Sequence, residues 1–331
     1  MTPGDLTRTL FVNDGAEANE NALKLVRWVT GRSKVVARYR SYHGATAGAL
    51  SLTGDSRRLA AEPGVPGVVR IFDPYEYRCP AGHPDPCPVC TGAPHLEEVL
   101  AHEGPETVAA VFLETVTGAN GVIVPPPGYL RAVREVCDRH GILLVLDEVM
   151  AGMGRTGRWF ACDHWDVVPD VLTLAKGLTS GYVPLGAMVI SERLSEWVWE
   201  NPFPSGVTTS GHPLACAVGA ASIAVIHEDG LAERAAELGE MLGAGLSDLA
   251  ARHEVVGDVR GLGLLWGLEL VRDRETKEPI EAKPLVREAL RRGLWLYARG
   301  NVLLVAPPLV VSGEELAEGL ARLDDVLSAL R

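Results

Sequence analysis

Ile142-Leu143-Leu144-Val145-Leu146-Asp147-Glu148 is the most informative stretch of this 331-residue sequence. Five aliphatic residues without polar alternation describe a strand buried on both faces, as in a parallel sheet covered by helices. The run then meets two carboxylates. The same texture recurs on either side of it. Residues 108–113 are an apolar run ending at Glu114, residues 171–175 run into Lys176-Gly177, and 186–190 read as a further strand. Residues 129–140 read as a helix closed by Gly141. Residues 17–30 carry Ala18, Ala22, Leu25, Val26 and Val29 on one helical face, stop at Gly31, and lead into a strand at 34–39. Strands alternating with helices predict an α/β domain with a mostly parallel sheet.

Beyond a long helix beginning near Pro213 the pattern changes. Residues 231–249 form a charged amphipathic helix, 261–271 have strand character, and 281–292 are helical. Ser312 opens the last helix, with Glu315 three residues on as a capping box and Leu316, Leu320, Leu323, Leu327 and Leu330 as its apolar stripe. We therefore expect a large domain at 1–228 and a smaller α+β domain at 229–331, a division the length allows. Acidic residues outnumber basic ones by 43 to 31, which argues against the basic footprint of a nucleic-acid binder. An aliphatic run of five is far too short to span a membrane, and MTPGDLTRTL lacks the pattern of a secretory signal. Six cysteines make no disulfide scaffold in a chain of this size, so a reducing, cytoplasmic setting is expected. Cys137, Cys162 and Cys216 read as buried thiols, and the acidic residues of 233–240 as a solvated helix face. Residues 75–94, rich in Pro, Cys and His, read as a surface loop. Cys79, Cys87 and Cys90, with His83 and His95, include zinc-type donors. Only Cys87-x-x-Cys90 has a standard spacing, so no metal is assigned from sequence.

Ligands of open α/β sheets gather at the carboxyl ends of the strands, where Glu114, Asp147 and Lys176 stand. An aspartate there is also an ordinary turn or cap residue. Lys176 follows apolar Leu172-Thr173-Leu174-Ala175 in a chain with only five lysines among 31 basic residues. Unlike arginine, a lysine can lose its proton and act as a nucleophile. A carboxylate and a lysine at neighbouring strand ends suggest Schiff-base chemistry, with pyridoxal phosphate the leading cofactor. Val12-Asn13-Asp14-Gly15-Ala16-Glu17-Ala18 turns through a glycine into a helix whose free N–H groups suit a phosphate, although many such turns bind nothing.

The blocks DGAEANENALKLVR, YHGAT, LDEVMAGMGRTGRWF, PDVLTLAKGLTSGYVPLGAMV, TTSGHPLACA and VAPPLVV occur in order over nearly the whole chain. In these the sequence resembles the class III (ω-amino-acid) aminotransferases, pyridoxal-phosphate enzymes of the aspartate-aminotransferase-like fold (fold type I), closest in pattern to taurine–pyruvate and β-alanine–pyruvate aminotransferases. The resemblance implies that Lys176 carries the cofactor covalently and that Asp147 pairs with its pyridine nitrogen. It makes Gly15 and Ala16 phosphate-binding amides, Tyr42 and Val149 the two walls around the ring, and Glu114 a neighbour of the O3′ side. Thr208 would reach the phosphate of a partner subunit in a homodimer or higher homo-oligomer. The implied reaction moves an amino group from an ω-amino acid or amine to an oxo acid, pyruvate foremost, by a ping-pong route.

Departures from the family pattern carry information too. The phosphate loop begins near residue 13, without the family's preceding segment, which reads as a fragment or a late start. Glutamate-using relatives place an acid and an arginine where this chain has Ala119 and Leu304, while Asn120-Gly121 resembles the pyruvate-using enzymes. Arg299 is the candidate for the acceptor carboxylate, and equally an exposed loop arginine. Thr209 and Ser205 replace a tyrosine and a histidine often seen in relatives. Rival readings are an aminomutase or decarboxylase on the same fold, and an inactive binding protein.

Overall fold

The computed structural model describes residues 1–82 and 87–329; His83 and Leu330, named above, lie outside these. Seven strands form the large sheet: β1 (Leu6–Val12), β2 (Lys34–Arg38), β3 (Val68–Ile71), β4 (Val108–Glu114), β5 (Leu143–Asp147), β6 (Val171–Leu174) and β7 (Gly186–Ser191). Their spatial order is β1-β7-β6-β5-β4-β2-β3. The neighbours from β6 to β3 pair parallel, whereas β7 runs antiparallel to both β6 and β1. Only β7 is therefore reversed. It follows β6 through residues 175–185 without a crossover helix, and a strand that returns directly must return antiparallel. Every residue of β4 and β5 is buried, as their unbroken apolar runs predict.

Helices cover this sheet. In α1 (Gly15–Thr30), Asp14 caps the start by accepting from Glu17 N, and Gly31 ends the helix in the left-handed conformation. α2 (Ala47–Leu52), α3 (Pro88–Thr91) and α4 (Pro94–Glu103) follow, and α5 (Tyr129–His140) has the bounds read from the sequence. α6 (Glu192–Glu200) and α7 (Pro213–Glu228) come after the sheet. Cys137 and Cys162 are buried, but Cys216 on α7 is partly exposed, contrary to expectation. No single helix among the described residues is long and apolar enough to cross a membrane.

α8 (Leu231–Arg252) leads to a second, four-stranded antiparallel sheet of order β10-β11-β9-β8, formed by β8 (Val256–Leu262), β9 (Leu265–Leu270), β10 (Tyr297–Arg299) and β11 (Val302–Val305). The single strand expected at 261–271 is a hairpin instead. Gly263 takes φ +52° at its tip, and a side chain there would collide with the backbone of Thr156. α9 (Lys283–Arg291) and α10 (Gly313–Ser328) complete a second core around Leu246, Leu268, Leu303 and Leu323. The capping box is formed, with Ser312 and Glu315 exchanging hydrogen bonds of 2.8 and 3.1 Å. Glu233, Glu237 and Glu240 are solvent-facing, as read.

Candidate active site

The strand order brings the carboxyl ends of β1, β6, β5 and β4 to one edge of the sheet. Glu114 on β4 is opposite Asp147 on β5, and Asp147 is opposite Thr173 on β6. Two residues past Leu174 the chain places Lys176 at φ +39°, a left-handed conformation that is costly for a lysine. Lys176 is exposed rather than partly buried, and its amine has no hydrogen bond or ion pair among the described residues. It opens into a cavity of about 690 Å³ whose lining also includes Gly15, Ala16, Tyr42, Glu114, Asp147 and Val149. A second cavity, about 880 Å³, adjoins it and shares Val149, Met150 and Lys176.

Asp147 is buried and surrounded by donors. Its Oδ2 accepts from Asn19 Nδ2 at 2.7 Å and from His43 Nδ1 at 2.8 Å, and its Oδ1 from Val149 N at 3.0 Å. Thr173 Oγ1 donates to Asn19 Oδ1 at 2.6 Å, which turns the Asn19 amide toward the carboxylate. The His43 ring meets the Phe112 ring edge-on, and its Nε2 is buried without a partner among the described residues. Glu114 accepts from Tyr42 N at 2.9 Å and Gly118 N at 2.8 Å. Burial pushes its carboxyl up, with the Asp147 charge adding to this and His43 and the two N–H groups opposing it.

The phosphate loop is shaped by close packing. A side chain at Gly15 would meet both Val149 methyls at 2.9 Å, so only glycine lets that valine lie against the loop. Gly44, with φ +134°, would bring a Cβ to 2.4 Å from that of Ala16, which explains glycine after Tyr42-His43. The amides of Gly15 and Ala16 belong to the unpaired first turn of α1, where the helix dipole favours an anion.

These groups fit pyridoxal phosphate: an anion-binding helix start, a buried carboxylate held by donors, and an unpaired primary amine all border one cavity. Residues 1–327 match the model of the class-III aminotransferase family. The chain belongs to the class-III aminotransferases. This aminotransferase is 42% identical to a probable aminotransferase of Mycobacterium tuberculosis, an alignment covering 93% of this chain and 70% of that protein. It is 36% identical to the taurine–pyruvate aminotransferase of Bilophila wadsworthia, covering 99% and 76%. Among solved structures, the taurine:2-oxoglutarate aminotransferase of Bifidobacterium kashiwanohense superposes with a TM-score of 0.94 at 41% identity, over 98% of this chain and 75% of that one. The enzyme is thus a pyridoxal-phosphate-dependent transaminase with the α/β fold expected from its sequence.

Two of the expected site residues stand apart from the cavity. Thr208 is exposed, just ahead of α7, and does not line the pocket of its own chain. Arg299 lies on β10 and pairs with Asp55 at 3.3 Å. Asp55 also holds Arg57, whose guanidinium lies 3.6 Å from the centroid of the Tyr42 ring. Burial opposes ionisation of Asp55, but the hydrogen bonds and charge of Arg57 outweigh it and hold the carboxyl below its ordinary range. Asn19 and His43 are site residues to which no motif in the sequence assigns a role. Asn19 was detectable as a polar residue among the buried positions of α1, whereas His43 had only its neighbours Tyr42 and Gly44 to mark it.

Proposed function

We propose that this enzyme moves an amino group from an ω-amino acid or amine to a small oxo acid with one carboxylate, pyruvate, by a ping-pong route. The reading rests on one observation: the unpaired Lys176 amine and the donor-held Asp147 carboxylate open into the same cavity. Bound pyridoxal phosphate supplies an aldehyde that exchanges with the substrate amine and a ring that takes up the electron pair left at the substrate carbon. Asp147 keeps negative charge against the ring nitrogen and so keeps a proton on it. Lys176 takes the proton from the substrate carbon and returns it on the other side of the exchange. Gly15 and Ala16 hold the phosphate through their amides, while Tyr42 and Val149 fix the ring plane. Glu114, its carboxyl pushed up by burial, stands toward the O3′ side.

The acceptor follows from charge. Ala119 lines the cavity and Leu304 is buried on β11, so no cation stands at either place for a second carboxylate. Burying one there unpaired is costly. Arg57 and Arg299 share the single charge of Asp55, which leaves positive charge beside Tyr42 for one acceptor carboxylate. The Bilophila relative is named for pyruvate; the Bifidobacterium one is named for 2-oxoglutarate. The deciding experiment mixes enzyme carrying the aminated cofactor with each oxo acid and follows the cofactor's absorbance. Pyruvate is expected to be preferred at least about tenfold in kcat/KM, or roughly 1.4 kcal/mol, and Arg299→Ala to slow the pyruvate reaction. Equal or faster reaction with 2-oxoglutarate overturns the charge argument.

In the same reading, residues 1–228 form the cofactor-binding domain, 229–331 the smaller C-terminal domain, and the enzyme works as a homodimer. α7 is apolar yet exposes Leu214 and Val225, at 60% and 48% of their surfaces, which a second subunit would cover. Thr208 directly precedes that face, where its hydroxyl could serve the partner's phosphate.

A further inference from the structure

The Cys-rich loop, whose metal binding the sequence leaves open, gathers its thiols. Cys79, Cys87 and Cys90 have their Sγ atoms all within 4.8 Å of one another, with Cys87 and Cys90 buried and Cys79 partly so. Two tight turns achieve this. Gly82 N donates to Cys79 O at 3.0 Å, and the N–H groups of Cys90 and Thr91 donate to Cys87 O at 3.0 and 2.9 Å. Both turns begin Cys-Pro, at Cys79-Pro80 and at Cys87-Pro88.

We propose that Cys79, Cys87 and Cys90 bind a zinc ion that staples the segment before them to the large sheet. Zinc–thiolate bonds of about 2.3 Å in a tetrahedral arrangement set sulfur atoms roughly 3.8 Å apart, a spacing the cluster reaches with small side-chain adjustments. The closest pair, Cys79 and Cys87, is at 3.2 Å. A disulfide would use two of the sulfurs and strand the third, so the three-way grouping favours a cation. His95 stacks on Phe72 and is outside the group, which leaves the fourth corner to water or another donor. Burial and the two neighbouring thiols push the Cys90 thiol up. Each thiol that ligates gives up its proton to solvent, leaving Zn²⁺ held by three thiolates.

The position defines the task. The residues just before Cys79 form a strap to the second sheet: Lys277 Nζ donates to Tyr77 O at 2.6 Å, Arg78 pairs with Glu269, and Arg78 Nη2 donates to Lys277 O at 2.7 Å. The Tyr75 ring lies between the guanidiniums of Arg40 and Arg260, at 4.9 and 4.6 Å. Arg260 in turn donates twice to Gly121 O, in the turn beside the pocket residue Ala119. A metal at the thiols fixes the far end of this strap against α3 and α4. The role is structural, and it stands or falls separately from the transaminase reading.

The test is metal analysis of untagged full-length protein, purified without chelator. About one zinc per chain is expected, lost in Cys87→Ser and Cys90→Ser and kept in Cys216→Ser. If the cluster variants fail to fold, wild-type protein stripped by chelator and refilled with Co²⁺ should show the thiolate-to-cobalt charge-transfer band and regain its thermal midpoint. Wild-type protein with reduced thiols that retains no zinc and gives no cobalt band overturns the proposal. So does a Cys79–Cys87 disulfide found by peptide mapping of non-reduced protein.

Discussion

Replacing His43 by phenylalanine removes one of three donors to Asp147 while keeping a flat ring against Phe112. The lost hydrogen bond is 2.8 Å long and joins two side chains that are 0% and 4% exposed, so water cannot replace it. A hydrogen bond to a buried ionised group is worth about 1.5–3 kcal/mol. Its loss destabilises ionised Asp147, and with it the proton on the cofactor's ring nitrogen, by a similar amount. At 1.36 kcal/mol per tenfold, kcat/KM should fall by about ten- to a hundredfold. Activity should survive at that level because Asn19 and the Val149 amide still donate. The assay is steady-state kinetics with saturating cofactor on the wild type, His43→Phe, Asn19→Ala and the double variant, with circular dichroism to verify folding. Both side chains act on Oδ2, so their effects should not add. A folded His43→Phe enzyme within twofold of wild-type kcat/KM refutes the reasoning.

Lys176→Ala should lose the borohydride-trappable link to the cofactor and several orders of magnitude of transamination; a retained link would show that another amine carries it. Burial raises Glu148 to about 7 from 4.5, against hydrogen bonds from Ala161 N, Cys162 N and Thr115 Oγ1. The folded state therefore holds this proton longer than the unfolded chain, and wild-type stability should drop between those pH values by about 3 kcal/mol relative to Glu148→Gln. Urea midpoints near pH 5 and pH 8 measure this, and parallel profiles for the two proteins contradict it. If the enzyme is the homodimer proposed above, Leu214→Arg should convert it to monomer in light scattering and lower cofactor affinity; a dimer of unchanged mass would mean that α7 is not the interface.

The central sheet was legible because burial on both faces leaves an uninterrupted apolar signature, which β4 and β5 carry in full. α5 and the Ser312 cap were legible because their signals are local. β1 was missed: three of its seven residues are exposed, as suits an edge strand, and its apolar pattern is correspondingly weak. Most of β8 escapes the strand expected at 261–271, because its residues are only partly buried and include Asp258 and Arg260. In the site, Asp147 and Lys176 were readable from where strands end. Their supports were harder to read, since His43 lies 104 residues and Asn19 128 residues from Asp147; a buried polar residue on α1 marks Asn19, but not its partner. Arg299 shows the same limit, its partner Asp55 being visible only once the chain is folded.

The left-handed backbone at Lys176 has a consequence for how the protein tolerates change. A residue held at φ +39° is retained by its surroundings, here the turn in which Thr179 N donates to Lys176 O and Leu178 N to Ala175 O. Glycine would relax into that conformation readily but would bring no amine. Side chains branched at Cβ would resist it outright. The turn thus narrows the occupants that position 176 accepts for backbone reasons alone, independently of chemistry. On backbone grounds alone glycine or asparagine would be preferred here, so the amine at position 176 is held at a conformational cost that only its chemistry repays.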